Sequence, residues 1–389
     1  MRRIKFLSVL VLLAAVLLSA YPGPAVMGQE PLSQSDVRAV ATPSSVPPRD
    51  WLVFNHPTLG YSVGYPKDFH LFYALDEAGT VGDIVTLASY VPGVDDPGYC
   101  SVPAGEIQMD IGVFAKKKPA SQDLKDWYAE YLHELVQITS TDVVEPTSQQ
   151  STRITNQGAL HIRSDVGLNN HELVLIPRGE RVYFIQKWPA VSPYDNIFSQ
   201  LLASFRFTEA VSDSPTIANP SRRPPGLAKG VHAPAGYRLP FSGTYAITSG
   251  PRCHCQHYSD PQNCAQYWRS EEAIDFGLPL STSVYNSHGG TVVYRDYNTQ
   301  GFGLLAVIKD SGGLKAYYAH LYFFSWSLPS VGKWVNQSVI IGYSGQSGGV
   351  APHLHFEVRD SNDNDSPVEI RDMAGITWNP DNCTGSATY

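Results

Sequence analysis

Five prolines between residues 211 and 238, Pro215, Pro220, Pro224, Pro225 and Pro234, set the first constraint on this chain. Proline fixes its own φ and has no amide hydrogen, so a stretch this rich in it supports neither a helix interior nor a central strand. Residues 211–238 therefore read as a linker between two parts, each long enough to bury a core. A second stretch, residues 29–49, is rich in Ser, Pro, Thr and Ala and reads as a disordered tether. Ahead of it, Arg2, Arg3 and Lys5 precede an apolar run over residues 6–20 and small residues as far as Gly28. That is the pattern of a secretory signal peptide over residues 1–28, with cleavage expected before Gln29. The apolar run is short of the ~20 residues a spanning helix needs, so no stable membrane span is expected after removal of the signal. The expected location is extracellular or in the cell envelope.

Signal removal takes away those three positive charges and no negative ones, so the formal net charge moves from -8 to -11. A chain this acidic makes nucleic acid an unsuitable partner. Five cysteines in an exported chain suggest disulfides, with Cys253, Cys255 and Cys264 crowded together and Cys100 and Cys383 standing alone. A cysteine zinc site is the competing use, but Cys253-His254-Cys255 lacks the two-residue gap of a zinc knuckle.

Residues 50–210 mix both periodicities. Short apolar runs over residues 107–114, 173–176 and 182–188 read as strands, and Pro177-Arg178-Gly179-Glu180 reads as the turn between the last two. Leu124, Trp127, Tyr128, Tyr131, Leu132, Leu135 and Val136 fall at helical spacing, with Ser121 or Asp123 as the cap. A second helix is expected over residues 194–205. The fold expected is an α+β sandwich with helices packed on an antiparallel sheet. Its opening, Phe54-Asn55-His56-Pro57-Thr58-Leu59-Gly60-Tyr61-Ser62-Val63 followed by Tyr65-Pro66, resembles the start of PsbP-like domains. That resemblance implies a binding or positioning role and no chemistry. His56, His70, His133, His161 and His171 show no paired spacing and read as structural or surface residues.

From residue 239 to 389 the pattern becomes short strands punctuated by glycine, which argues an all-β domain built on an antiparallel sheet with a groove. Strands are expected over residues 245–248, 290–294, 304–309, 315–319, 339–343 and 353–358. The strongest local signal is Pro352-His353-Leu354-His355-Phe356-Glu357. Side chains alternate along a strand, so His353 and His355 share one face and Leu354 takes the other. Two imidazoles side by side can hold a metal and serve its water. Asp275, in Ala273-Ile274-Asp275-Phe276, places a carboxylate after two apolar residues, and Tyr318-Ala319-His320-Leu321 ends a strand on a third histidine. Glu357 shares the face of His353 and His355 and reads as a group beside the site, and His288 reads as a turn residue without a role.

The ordered set I-D-F, G-G-T-V-V, Y-A-H-L, I-G-Y-S-G and H-L-H-F-E, over about residues 240 to 360, closely resembles the LytM and lysostaphin-type endopeptidase domain. The resemblance implies a secreted zinc metalloendopeptidase that hydrolyses peptide stems or cross-bridges of bacterial peptidoglycan. It places Asp275 and His355 as zinc ligands and His320 and His353 as the catalytic histidines. The third ligand departs from the common pattern, in which a histidine stands four residues before the aspartate; here that residue is Glu271. Gly250-Pro251-Arg252-Cys253-His254 resembles the alternative arrangement, so His254 is favoured, with His257 and then Glu271 behind it. A bridge from Cys253 or Cys255 to Cys264 would hold that loop. The competing function is a catalytically inactive domain of the same kind that binds cell wall or regulates another hydrolase. A third reading lets the N-terminal part dominate, as a binding or adhesion module that cuts nothing.

Overall fold

In Gln108–Val113 every second side chain is apolar, with Met109, Ile111 and Val113 on one face and Gln108 and Asp110 on the other, and that period of two builds a strand. The computed structural model of the protein describes residues 50–75, 81–91, 102–139, 146–166, 169–208, 236–251, 253, 268–270, 272–379 and 384–389. The signal peptide and tether expected over residues 1–49, most of the Pro-rich linker, and all cysteines except Cys253 fall outside the described residues. Among the described residues no helix is long and apolar enough to cross a membrane.

The N-terminal part contains strands β1 (Trp51–His56), β2 (Tyr61–Pro66), β3 (His70–Leu75), β4 (Val81–Ala88), β5 (Gln108–Val113), β6 (Ser148–Ile154), β7 (Gln157–Val166), β8 (Asn169–Arg178), β9 (Arg181–Trp188) and β10 (Arg206–Phe207), with helices α1 (Leu124–Thr139) and α2 (Asp195–Ser204). Seven strands form one sheet in the order β3-β4-β5-β9-β8-β7-β6, and β1, β2 and β10 form a small second sheet. The turn expected over residues 177–180 is tighter than its sequence suggests. Arg178 pairs with Arg181, leaving only Gly179 and Glu180 outside the ladder, with Gly179 at φ 61°. Asp123 rather than Ser121 opens α1, its Oδ1 accepting the Lys125 amide at 2.8 Å.

Alternation along β8 separates two cores. Leu173 and Leu175 join the cluster containing Trp127, Tyr128 and Tyr131 of α1, whereas Val174 and Ile176 join the one containing Phe198 and Leu201 of α2. The two helices therefore lie on opposite faces of the sheet.

The C-terminal part contains β11 (Thr244–Ser249), β12 (Ile274–Phe276), β13 (Ser283–Tyr285), β14 (Gly290–Asn298), β15 (Gly303–Lys309), β16 (Leu314–Phe324), β17 (Trp334–Val335), β18 (Ile340–Ser344), β19 (Leu354–Asp360), β20 (Ser366–Val368), β21 (Ile376–Asn379) and β22 (Thr384–Thr388). Their main path runs β17-β14-β15-β16-β19-β12-β11-β22-β21, with β13, β18 and β20 paired at its side. All pairs are antiparallel, and all six strands expected from the sequence are present, most of them longer than expected.

The α1 core does not end at the boundary between the two parts. Tyr297 lies 4.2 Å from the Phe184 ring, and the Tyr131 hydroxyl donates to the Tyr297 carbonyl. Asp296 accepts the Ala115 and Lys116 amides at 2.7 and 2.9 Å. The described residues of both parts accordingly belong to one compact unit. Strand periodicity could identify the polar face of β5 but not that the C-terminal part would cover it.

That covered face carries a row of polar side chains, since Thr86, Asp110 and Gln186 are direct cross-strand neighbours. Asp110 is fully buried and accepts from the Thr86 hydroxyl at 2.7 Å, the Tyr297 hydroxyl at 3.0 Å and the Gly348 amide at 2.8 Å. Burial pushes its carboxyl up to about 6, and these hydrogen bonds only partly oppose the shift. In the unfolded chain the same group titrates near 3.8, so between about 4 and about 6 the folded state holds a proton that the unfolded state has released. Stability must therefore fall as pH rises through that window. In urea titrations the unfolding free energy of Asp110→Asn should gain on wild type from pH 4 to pH 6 and then run parallel to it. Parallel curves across the whole range would contradict the assignment.

Candidate metal and catalytic site

The register of β19 with its two neighbours assembles the site. Asp275 of β12 stands directly opposite His355, and on the other side Ala319 of β16 stands opposite the same histidine. Residues directly opposed in an antiparallel ladder share a face, so the row is carboxylate, imidazole and a small residue that leaves room. The other face of these strands carries Ile274, Phe276, Leu354, Phe356, Val358, Tyr318 and Ala316, all buried in the core. Apolar burial on that face therefore fixes which way the functional row points.

His320 breaks the alternation. It follows Ala319, so a regular strand would turn it into the core. Leu304 pairs with Leu321 and Ala306 with Tyr318, so Ala319 and His320 together oppose Leu305 alone. That is a β-bulge, and His320 takes a φ of 57° within it. The strand expected to end at residue 319 instead continues to Phe324, and the bulge turns His320 back beside the row. Its ring centroid lies 4.6 Å from that of His353 and 5.9 Å from that of His355.

Backbone carbonyls orient two of the three imidazoles. His320 Nδ1 lies 2.7 Å from the Ser347 carbonyl, and His353 Nδ1 lies 2.8 Å from the Ala351 carbonyl. A carbonyl only accepts, so each Nδ1 carries the hydrogen, and neutral His320 and His353 keep their lone pair on Nε2. His353 Nε2 is 3.8 Å from Asp275 Oδ1. His355 is turned the other way, with Nδ1 2.8 Å from Asp275 Oδ1 and Nε2 3.5 Å from Glu357 Oε2. Burial holds His320 well below the usual imidazole range, helped by His353 and His355 nearby. At His355 burial acts in the same direction, but hydrogen bonds to Asp275 and Glu357 outweigh it and raise the group to about 9.

The donor set fits a cation. A carboxylate oxygen and an imidazole nitrogen meet at hydrogen-bond distance in a buried row, and both become zinc donors once their shared proton is lost. His254, His257 and Glu271, the three options for a further ligand, lie outside the described residues. Among the described residues no group of three or more His, Cys, Asp or Glu side chains is arranged to hold a metal. Cys253 is buried and disulfide-bonded. The other cysteines of the expected bridge also lie outside the described residues.

The structure brings Asp275, His320, His353 and His355 together and leaves the other described histidines elsewhere. His288 stacks on Tyr237 at 4.7 Å, His161 pairs with Glu172 at 2.5 Å, and His171 is buried, its ring pushed down to about 4 by desolvation. Two supporting groups escaped sequence reasoning. Arg359 continues the parity of residues 353, 355 and 357, so alternation alone could have found it. Ser347 carries no local signal. Its Oγ accepts the Leu304 amide and donates to the Leu321 carbonyl, both at 2.8 Å. At Gly303, whose φ is 60°, a Cβ would come within 2.4 Å of Ser347, so the strand closes on that loop only with glycine.

A model described as peptidase family M23 matches residues 269–369. Among solved structures the chain is similar to the catalytic domain of the antimicrobial peptidase lysostaphin from Staphylococcus simulans, at 30% identity over 25% of this chain and 73% of that one, with a TM-score of 0.23. It is also similar to a mutant catalytic domain of the prophage-encoded M23 protein EnpA from Enterococcus faecalis, at 28% identity over 25% and 73% of the two chains, with a TM-score of 0.23. No curated protein matches. The family model lies wholly in the C-terminal part, so the PsbP-like reading of the N-terminal part gains no support from it.

Glu357 and Arg359 form a buried pair beside the site, 2.5 Å apart and 1% and 2% exposed. Arg359 also donates to Ser270 Oγ at 3.1 Å and lies 4.5 Å from the centre of the Tyr317 ring. Its charge holds the Glu357 carboxyl down against the upward push of burial. Removing one partner of such a pair strands the other, at a cost of about 3–5 kcal/mol. Arg359→Met should lose stability on that scale in urea unfolding, and adding Glu357→Gln should recover much of the loss. A single variant as stable as wild type would contradict the pairing.

Proposed function

This chain belongs to peptidase family M23, and from that premise we propose that it is a secreted zinc metalloendopeptidase hydrolysing peptide cross-links of bacterial peptidoglycan. The observation that carries the reading is the cross-strand pair of Asp275 and His355, flanked by two histidines whose Nδ1 atoms are tied to backbone carbonyls. Asp275, His355 and a third ligand, His254 first, would hold the metal. When bound, zinc supplies a Lewis acid for the scissile carbonyl and a nucleophile available at neutral pH. His320 and His353 do the proton work. With Nδ1 committed to a carbonyl, each neutral ring offers Nε2 as a proton acceptor, and each protonated ring offers Nε2–H to a developing oxyanion. Burial of both rings keeps bulk water from competing for those positions.

The substrate class comes from the resemblance of I-D-F, Y-A-H-L and H-L-H-F-E to LytM and lysostaphin-type endopeptidases and from the expected export signal.

Purified mature protein should contain about one zinc per chain and release fragments from peptidoglycan. Asp275→Ala and His355→Ala should lose both metal and cleavage. His320→Ala and His353→Ala should keep the metal and lose about 100-fold or more in rate. Of His254→Ala, His257→Ala and Glu271→Ala, only the first should lose zinc. Protein that takes up no zinc and binds peptidoglycan without cutting it would replace this reading with that of an inactive wall-binding or regulatory domain.

A further inference from the structure

Asp110 and His320 belong to different parts of the chain, yet one peptide group stands between them. The carbonyl of Ser347 meets His320 Nδ1 at 2.7 Å, and the amide hydrogen of Gly348, on the other side of the same peptide bond, is donated to Asp110 Oδ2 at 2.8 Å. In a trans peptide the C=O and N–H point in opposite directions within one plane, so the two bonds fix that plane from both sides. We propose that Asp110 is a positioning residue for the peptidase reaction, acting through the Ser347–Gly348 peptide to hold His320 in the tautomer that leaves Nε2 free. The inference rests on the proposed role of His320.

Three features of the surroundings support it. Asp110 is itself held, by the Thr86 hydroxyl at 2.7 Å and the Tyr297 hydroxyl at 3.0 Å, so its carboxylate cannot turn away from the loop. The loop is fastened at neighbouring points. Gln108 Nε2 donates to the Gln346 carbonyl at 3.0 Å, and a Cβ on Gly349, whose φ is 78°, would lie 2.6 Å from the Trp188 ring. The side chains of Gln108, Asp110 and Trp188 thus bear on three successive stations of the loop that precedes His353. Finally, His320 sits in a bulge at a φ of 57°, a backbone state that persists only where the surroundings over-determine it.

The physical effect is polarisation as well as placement. A hydrogen bond to a charged acceptor is roughly twice as strong as a neutral one, and a peptide whose N–H is drawn towards a carboxylate presents a more negative carbonyl oxygen. That oxygen holds the His320 Nδ1 hydrogen more firmly and makes Nε2 a better acceptor. The N-terminal sheet then contributes a charge to the site without touching substrate.

The test uses the full mature chain with Asp110→Asn, which keeps the shape and removes the charge, and Asp110→Leu, which removes the acceptor. Asp296→Asn serves as the control, because Asp296 joins the two parts through the Ala115 and Lys116 amides, whereas the Gly348 amide is donated to Asp110. Apparent kcat and KM are measured on dye-labelled soluble peptidoglycan fragments, and the His320 tautomer is read from ring ¹⁵N shifts of histidine-labelled protein. The expected result is a graded fall in kcat, towards about 100-fold for Asp110→Leu, with KM steady and with growing Nε2–H tautomer, while Asp296→Asn keeps wild-type kcat and tautomer. Should Asp110→Leu not fold, Asp110→Asn alone decides. An unchanged His320 tautomer in the Asp110 variants, or an equal loss of kcat in Asp296→Asn, would overturn the proposal. The tautomer reading needs no turnover, so a wild-type chain that cuts nothing would count against the peptidase reading and still leave Asp110 tested.

Discussion

The pairing of β19 with β12 on one side and β16 on the other is the constraint on which the rest of the site depends. A slip of one residue in either ladder would turn His355 away from Asp275 and bring a core side chain into the functional row. The register is guarded from the opposite face, where Ile274, Phe276, Leu354, Phe356, Val358 and Tyr318 pack in the interior. The pairing of Asp275 with His355 thus begins as a hydrophobic effect on the far side of the sheet. His320 is the exception that the ladder alone cannot place, and a single extra residue in β16 supplies the correction.

The N-terminal sheet extends that organisation. Its β5 presents polar side chains where an isolated sheet would meet water, and the C-terminal loops cover them, so each buried polar atom there needs a partner across the boundary. Asp110 meets this demand with three donors, two of them from the C-terminal part. Phe184 and Phe114 add apolar contact with Tyr297, so adhesion and specificity come from adjoining patches. The arrangement gives Gln108, Asp110 and Trp188 a physical part in holding the loop that precedes His353.

Much of this was legible in the sequence because it rests on local periods. The alternation of 353, 355 and 357, the helix through Trp127 and Tyr131, and the six C-terminal strands all follow from spacing. The bulge at His320 was not legible, since nothing in Tyr-Ala-His-Leu distinguishes a strand end from an inserted residue. Nor was the burial of Asp110, for Gln-Met-Asp-Ile-Gly-Val is an ordinary half-exposed strand until another sheet is laid on it. Ser347 shows the same limit. Its importance lies in contacts with Leu304, His320 and Leu321, more than twenty-five residues away in sequence, which no local pattern carries.

The central claim is that a carboxylate and imidazoles, brought together by strand register, hold the metal, and that the neighbouring cysteines do not. Zinc-edge X-ray absorption on the purified full chain tests this directly. A first shell made only of nitrogen and oxygen at about 2.0–2.2 Å is the result predicted. Sulfur scattering at about 2.3 Å, which would put the metal on the cysteines instead of on Asp275 and His355, would contradict it.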